Sequence, residues 1–168
     1  GEATFDIMGM AATDFPEMPS VADNNVISVD GKTLSYMVKG TIFAAAQNEG
    51  ARPILTGINI SANDGFIQFV AIDGYRLAIK KEKAENIKNL EFTVTSKALN
   101  EAVKLIDDDS EEIEINVGSR LIGFNINGYT FISRLLEGDF VNYQKTLPAD
   151  YKQRVVVNTR DLINTIER

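Results

Sequence analysis

An eight-residue phrase that recurs three times constrains this chain more than any other feature. It reads Ile27-Ser28-Val29-Asp30-Gly31-Lys32-Thr33-Leu34, then Phe92-Thr93-Val94-Thr95-Ser96-Lys97-Ala98-Leu99, then Val155-Val156-Val157-Asn158-Thr159-Arg160-Asp161-Leu162. Each copy predicts a short strand running into a helix: apolar and polar residues alternate, an oxygen or glycine suited to an N-cap follows, then a cation, then a leucine that opens an apolar stripe. Val29, Val94 and Val157 hold the same place in the three copies, so the two intervals between them are nearly equal. A fixed period of that kind marks a repeat architecture whose units share surfaces. The third copy stops at Arg168, partway along its helix, so the expectation is a piece of a longer array.

A second echo runs at twice the period. Thr4-Phe5 and Asp14-Phe15-Pro16 near the start return near the end as Thr130-Phe131 and Asp139-Phe140-Val141. Two half-units then make one domain. Residues 1–19 are expected to end a preceding domain and its linker, 20–148 to form a complete domain, and 149–168 to carry a linker and the opening of the next.

Composition narrows the chemistry. With 168 residues and 44% hydrophobic content, the chain can bury a full core. It has no unbroken apolar run of membrane-spanning length and no signal-peptide pattern at its start, so a cytoplasmic location is expected. It contains no cysteine and no histidine. Disulfides and thiol chemistry are thereby excluded, and the commonest general base and zinc ligand are missing. No enzymatic activity, cofactor or metal is expected. The net charge of -7 weighs against a phosphate-rich partner, unless the cations gather on one face.

They do gather. The helix expected over 31–48 carries its apolar stripe at Leu34, Met37, Val38, Ile42 and Ala45, with Lys32 and Lys39 on the other side and no acid. The helix expected over 96–107 repeats this with Leu99, Ala102, Val103 and Ile106 against Lys97 and Lys104. Lys97 answers Lys32 and Lys104 answers Lys39, each displaced by one full period. Strands are expected over 54–61, 66–72, 76–81, 112–117, 120–126 and 129–136. Asn63-Asp64-Gly65 and Asn127-Gly128 supply hairpin turns, Asn127-Gly128 being the strongest short hairpin signal, and Asp73-Gly74 and Gly118-Ser119 turn the other strand pairs. Each half is therefore strand, helix and three antiparallel strands, and pairs with its twin to bury itself. The fold class is α+β, with helices on one face of antiparallel sheet. The acids at Asp107, Asp108, Asp109, Glu111, Glu112 and Glu114 lack the alternating ligands and central glycine of a calcium loop and read as a solvated acidic loop. Lys80-Lys81-Glu82-Lys83 reads as a solvated strand end.

Two segments are specific beyond architecture. Phe69-Val70-Ala71-Ile72-Asp73-Gly74-Tyr75-Arg76-Leu77-Ala78 resembles the Ala-Thr-Asp-Gly-His-Arg-Leu-Ala signature of the bacterial sliding-clamp family, the beta subunits of DNA polymerase III. The run from Ser133 through Leu136-Glu137-Gly138-Asp139-Phe140-Val141-Asn142-Tyr143-Gln144-Lys145-Thr146 to Leu147-Pro148 is similar to that family's second signature. The resemblance covers the whole chain. It implies the DNA-clamp fold, with two β-α-β-β-β half-repeats per domain, three such domains per subunit, and two subunits closing a ring. Residues 20–148 would then be the middle domain, with the end of the first before it and the start of the third after it.

That resemblance also implies sites and partners. Duplex DNA would pass through the ring without sequence readout, its phosphates facing Lys32, Lys39, Lys97 and Lys104. Replicative polymerase, clamp loader and repair proteins would dock short linear motifs in a cleft. The matching positions are Leu55, Ile72, Gly74, Tyr75, Arg76, Leu77, Val141, Lys145 and Thr146. The chemistry suits the task, with aliphatic walls, a glycine and a cation at the rim. Several of these positions depart from the family pattern: Ile72 stands for threonine, Tyr75 for histidine, Val141 for proline, Lys145 for arginine and Thr146 for an aliphatic residue. No membrane contact is expected, and the chain by itself is expected to be monomeric. Two alternatives stay open: an interaction scaffold whose lysines never meet DNA, and a carboxylate-dependent hydrolase with a metal at residues 107–114.

Overall fold

The computed structural model of the chain describes residues 2–21, 25–47, 50, 52–84, 89–107 and 112–168. The first half reads β1 (Val26–Asp30), α1 (Gly31–Lys39), β2 (Gly57–Asn63), β3 (Phe66–Ile72) and β4 (Leu77–Lys83). The second reads β5 (Leu90–Thr95), α2 (Ser96–Lys104), β6 (Glu112–Val117), β7 (Leu121–Ile126) and β8 (Tyr129–Arg134). In both halves the last strand residue is itself the helix cap. The Asp30 carboxylate accepts the Thr33 amide at 2.8 Å, and the Thr95 hydroxyl accepts the Ala98 amide at 3.2 Å. Each cap satisfies one of the free amides of the first turn.

Both helices are shorter than their apolar stripes suggest. α1 ends at Lys39 because the buried Thr41 donates its hydroxyl to the carbonyls of Met37 (2.8 Å) and Val38 (3.3 Å), closing the last turn. The chain then turns into a 3-10 segment, Ile42–Ala44, in which Ile42 and Ala45 still reach the core. α2 ends at Lys104, with the Asn127 side chain donating to the Leu105 carbonyl at 3.1 Å. The far end of the first stripe, Asn48, lies outside the described residues, as do Asp108, Asp109 and Glu111 of the acidic loop. Residues 54–56, expected to be strand, belong to a second 3-10 turn, Pro53–Thr56, that leads into β2.

Both expected hairpins are two-residue loops. Asp64 and Gly65 have φ of 50° and 74°, and Asn127 and Gly128 have 47° and 78°. Positive φ at both central residues is the geometry that matches the strand twist.

The strands form two antiparallel sheets, in the orders β4-β3-β2-β5 and β1-β6-β7-β8. The opening strand of each half is thus exchanged into the sheet of the other. Val94 faces Ile58 in the first sheet, and Val29 faces Ile113 in the second. Ile27 and Val29 are nearly fully buried. Each contributes about 1.5–3 kcal/mol, and only when β1 reaches its partner half. One core cluster spans both sheets and both helices, from Leu34, Met37, Ile60 and Phe69 to Leu99, Ile115, Ile122 and Phe124. The helices pack on the same side of the sheets and touch each other. The sheets themselves meet at the Val94–Leu135 bridge.

Beyond β8 the chain leaves its own sheet and crosses the outer face of the other one. The Leu136 amide donates to the Thr93 carbonyl at 2.9 Å. A Cβ at Gly57 would lie 2.6 Å from the Val94 carbonyl oxygen and 2.7 Å from the Leu136 Cδ1, so the crossing requires glycine there. A 3-10 turn, Tyr143–Thr146, follows, and the Gln68 side-chain amide donates to the Tyr143 hydroxyl at 2.6 Å.

The third copy of the phrase forms only its helix. Asn158 caps α3 (Thr159–Ile166) by accepting the Arg160 amide at 2.9 Å. The expected strand does not form: Val155, Val156 and Val157 are 78%, 84% and 54% exposed, and no described strand pairs with them. Without a partner ladder, an apolar β-branched run has no reason to be a strand.

Candidate functional site

The β3–β4 turn is built around one carboxylate. Asp73 Oδ1 accepts the amides of Tyr75 (2.9 Å) and Arg76 (2.8 Å), while Oδ2 accepts Arg76 Nε (3.0 Å) and Nη2 (2.9 Å). The Arg76 amide, the Tyr75 amide and the Arg76 side chain together hold the Asp73 pKa down at about 2. Gly74 has φ of 92°, and nothing lies within 4 Å of a Cβ placed on it. The positive φ favours glycine there whatever the space around it. Tyr75 is 99% exposed, and Arg76 projects beside it.

Ile72 and Leu77 face each other across this hairpin and share the outer face of the sheet with Val70 and Ile79. Leu55, Ile72 and Leu77 are half-buried, outside the core cluster. Val141 is half-buried as well, with Lys145 and Thr146 exposed. The Tyr143–Gln68 bond holds the segment carrying these three residues against β3 at Gln68. Leu55 precedes β2, at the end of the sheet where β3 finishes. The structure thus brings Ile72, Gly74, Tyr75, Arg76 and Leu77 together at the β3–β4 turn, with Leu55 in the 3-10 turn at the same end of the sheet, while Val141, Lys145 and Thr146 lie on the segment tied to the outer face at Gln68. Aliphatic side chains half-exposed beside a rigid turn and a cationic rim can hold apolar anchors of a short peptide.

The opposite side of the molecule carries the helices. Lys32, Lys39, Lys97 and Lys104 are all exposed, on helix faces turned away from the buried stripes. Lys104 is ion-paired with Glu101 at 2.7 Å. Lys80 is part-buried rather than merely solvated: its ammonium lies 3.7 Å from the centroid of the Tyr36 ring and donates to the Tyr36 hydroxyl. Glu112 and Glu114, expected in the acidic loop, instead belong to β6, where Glu114 accepts the side-chain amides of Asn116 and Asn125. Among the described residues no group of three or more potential metal ligands occurs, and no helix is long and apolar enough to cross a membrane.

Residues 28–142 match the sequence family described as DNA polymerase III beta subunit, central domain. The chain belongs to that family. It is 30% identical over 170 residues to the beta sliding clamp of Bacillus subtilis and 31% identical over 172 residues to that of Halalkalibacterium halodurans. Both alignments cover 100% of this chain but 45% of the relative, so the chain spans about half the length of these clamps. The crystal structure of the Bacillus subtilis sliding clamp superposes with a TM-score of 0.89 at 28% identity, covering 94% of this chain and 42% of that one. A Pseudomonas aeruginosa sliding clamp, solved bound to griselimycin, superposes with a TM-score of 0.79 at 28% identity, covering 85% and 39%. The clamp fold expected from the sequence is therefore the observed one.

Sequence reasoning missed Tyr36, Lys80 and Glu101 on the helix side and the Gln68–Tyr143 link on the sheet side. Tyr36 was legible, since it stands one helical turn after Lys32 on the same stripe. Lys80 and Gln68 were not, because their partners lie 44 and 75 residues away.

Proposed function

We propose that this chain supplies the middle domain of a replicative sliding clamp, a non-enzymatic processivity factor that encircles duplex DNA and tethers replication and repair proteins to it. In this reading residues 1–19 end the first clamp domain, 20–148 are the middle domain, and 149–168 open the third. The full protein is a cytoplasmic homodimeric ring. Its helices face the DNA, which Lys32, Lys39, Lys97 and Lys104 meet through phosphates without reading bases. Polymerase, clamp loader and repair proteins dock short motifs against Leu55, Ile72, Gly74, Tyr75, Arg76, Leu77, Val141, Lys145 and Thr146. The observation that carries the reading is the central-domain match over 28–142. The outer-face gathering of half-buried aliphatics beside the Asp73 turn supports the docking part.

An amide NMR titration with the peptide Gln-Leu-Ser-Leu-Phe tests the docking part. Shifts are expected at Leu55, at 74–77 and at 141–146, and Leu77→Glu abolishes them. A peptide that saturates without shifting these amides, or that binds Leu77→Glu equally well, overturns the assignment. The Lys104–Glu101 pair, which cancels part of the helix charge, favours a second reading as a scaffold without DNA contact. In the full-length protein, Lys39→Glu that leaves polymerase processivity unchanged favours the scaffold; lost processivity favours the clamp.

A further inference from the structure

The two helix faces are not equivalent, and the difference lies at one position of the repeat. On α1 the exposed stripe is Lys32, Ser35, Tyr36 and Lys39; one period later, α2 offers Lys97, Asn100, Glu101 and Lys104. Tyr36 therefore corresponds to Glu101. On α2 that acid binds Lys104 at 2.7 Å, leaving Lys97, among the described residues, as the stripe's uncompensated cation. On α1 the tyrosine recruits a third cation instead. Lys80, from β4, holds its ammonium over the Tyr36 ring, and its stem passes so close to Gly40 that a Cβ there would lie 2.6 Å from Lys80 Cε. Lys80 pairs across the sheet with Phe69; the matching place in the second half, opposite Phe124, is the apolar Phe131. The addition is thus confined to the first half.

We infer that duplex DNA contacts this domain chiefly through a patch on α1 and β4, Lys32, Lys39 and Lys80 arranged around Tyr36, with α2 a weaker contributor. The inference rests on the reading above that the helix side faces DNA, and it departs from the equal sharing that the repeat of lysines suggests. Three cations with no acid on their helix stripe set up a stronger local potential for phosphate than two cations sharing a carboxylate. A cleft of about 520 Å³ runs beside the patch, with Lys32, Ser35, Tyr36 and Lys39 on one wall and Ile106 and Asp107 on the other.

The test is binding of a short duplex DNA to this chain at about 10 mM salt, where the Debye length is about 30 Å, read by amide shifts and by affinity as salt is raised. Shifts are expected at 32–39 and around Lys80. Lys39→Gln and Lys80→Gln should each weaken binding about fivefold, the size of one charge contact in water, and flatten the log–log salt slope by about 0.9. The double variant Glu101→Gln, Lys104→Gln removes a lysine already paired with an acid and should weaken binding less than Lys39→Gln or Lys80→Gln. If the double variant costs as much as Lys39→Gln and Lys80→Gln costs nothing, the asymmetry is overturned while the DNA-facing reading stands. If no lysine variant on either half changes binding, both fall together.

Discussion

Asp73 illustrates how one side chain can organise a candidate docking site. Its two oxygens accept four hydrogen bonds from Tyr75 and Arg76 within a single tight turn. Because its folded pKa of about 2 lies below the ordinary 3.8, the carboxylate stabilises the turn fully at neutral pH, and that contribution is lost as pH falls from about 4 to about 2. Carboxyl-carbon NMR should therefore show Asp73 titrating at about 2, with the amide shifts of Tyr75 and Arg76 following the same midpoint. A midpoint at the ordinary 3.8 would contradict the geometry. Asp73→Asn should remove this pH dependence and release the Arg76 guanidinium. Asp73-Gly74 was legible as a turn from residue types alone. That Gly74 serves its own backbone conformation, and that Gly57 is the glycine under close contact, was not, since crowding depends on which chain segment passes overhead.

At the scale of elements, the repeated phrase is a strand that ends on its own helix cap. Asp30, Thr95 and Asn158 occupy the same place in the three copies, and all three accept first-turn amides. Thr95→Ala should cost about 1 kcal/mol of stability by chemical denaturation, with Thr95→Ser close to neutral. An unchanged denaturation midpoint for the alanine variant would mean that the Thr95 hydroxyl carries no capping energy. The start of each helix was thus readable in local chemistry. The ends were not: Ile42, Ala45 and Ile106 continue the apolar pattern, yet α1 stops where the buried Thr41 takes the last carbonyls. A 3-10 turn and a helix turn can present the same side chains to one core, so periodicity overestimates helix length. The valines before α3 make the opposite point. Their strand pattern depends on a partner that the described residues do not offer.

Across the whole molecule, the exchange of β1 and β5 makes the two halves mutually dependent. Neither half closes its sheet or covers its core alone, because the strand that completes each sheet comes from the other. Residues 1–84 and 85–168 made separately should each lack a cooperative thermal transition by circular dichroism, and mixing them should restore one. Cooperative unfolding of either half alone would show that the exchange is not needed for stability. The sequence by itself determined the strand and helix order, the two tight hairpins, the N-caps, the apolar faces and the family signatures, because these depend on residues within a few positions of one another. Only the tertiary structure decided which sheet each opening strand joins, how the segment after β8 crosses to Thr93 and Gln68 of the other sheet, and that Lys80 stands over Tyr36. Those contacts join residues far apart along the chain, and pairing across such separations is chosen by the burial of the shared core rather than by local preference.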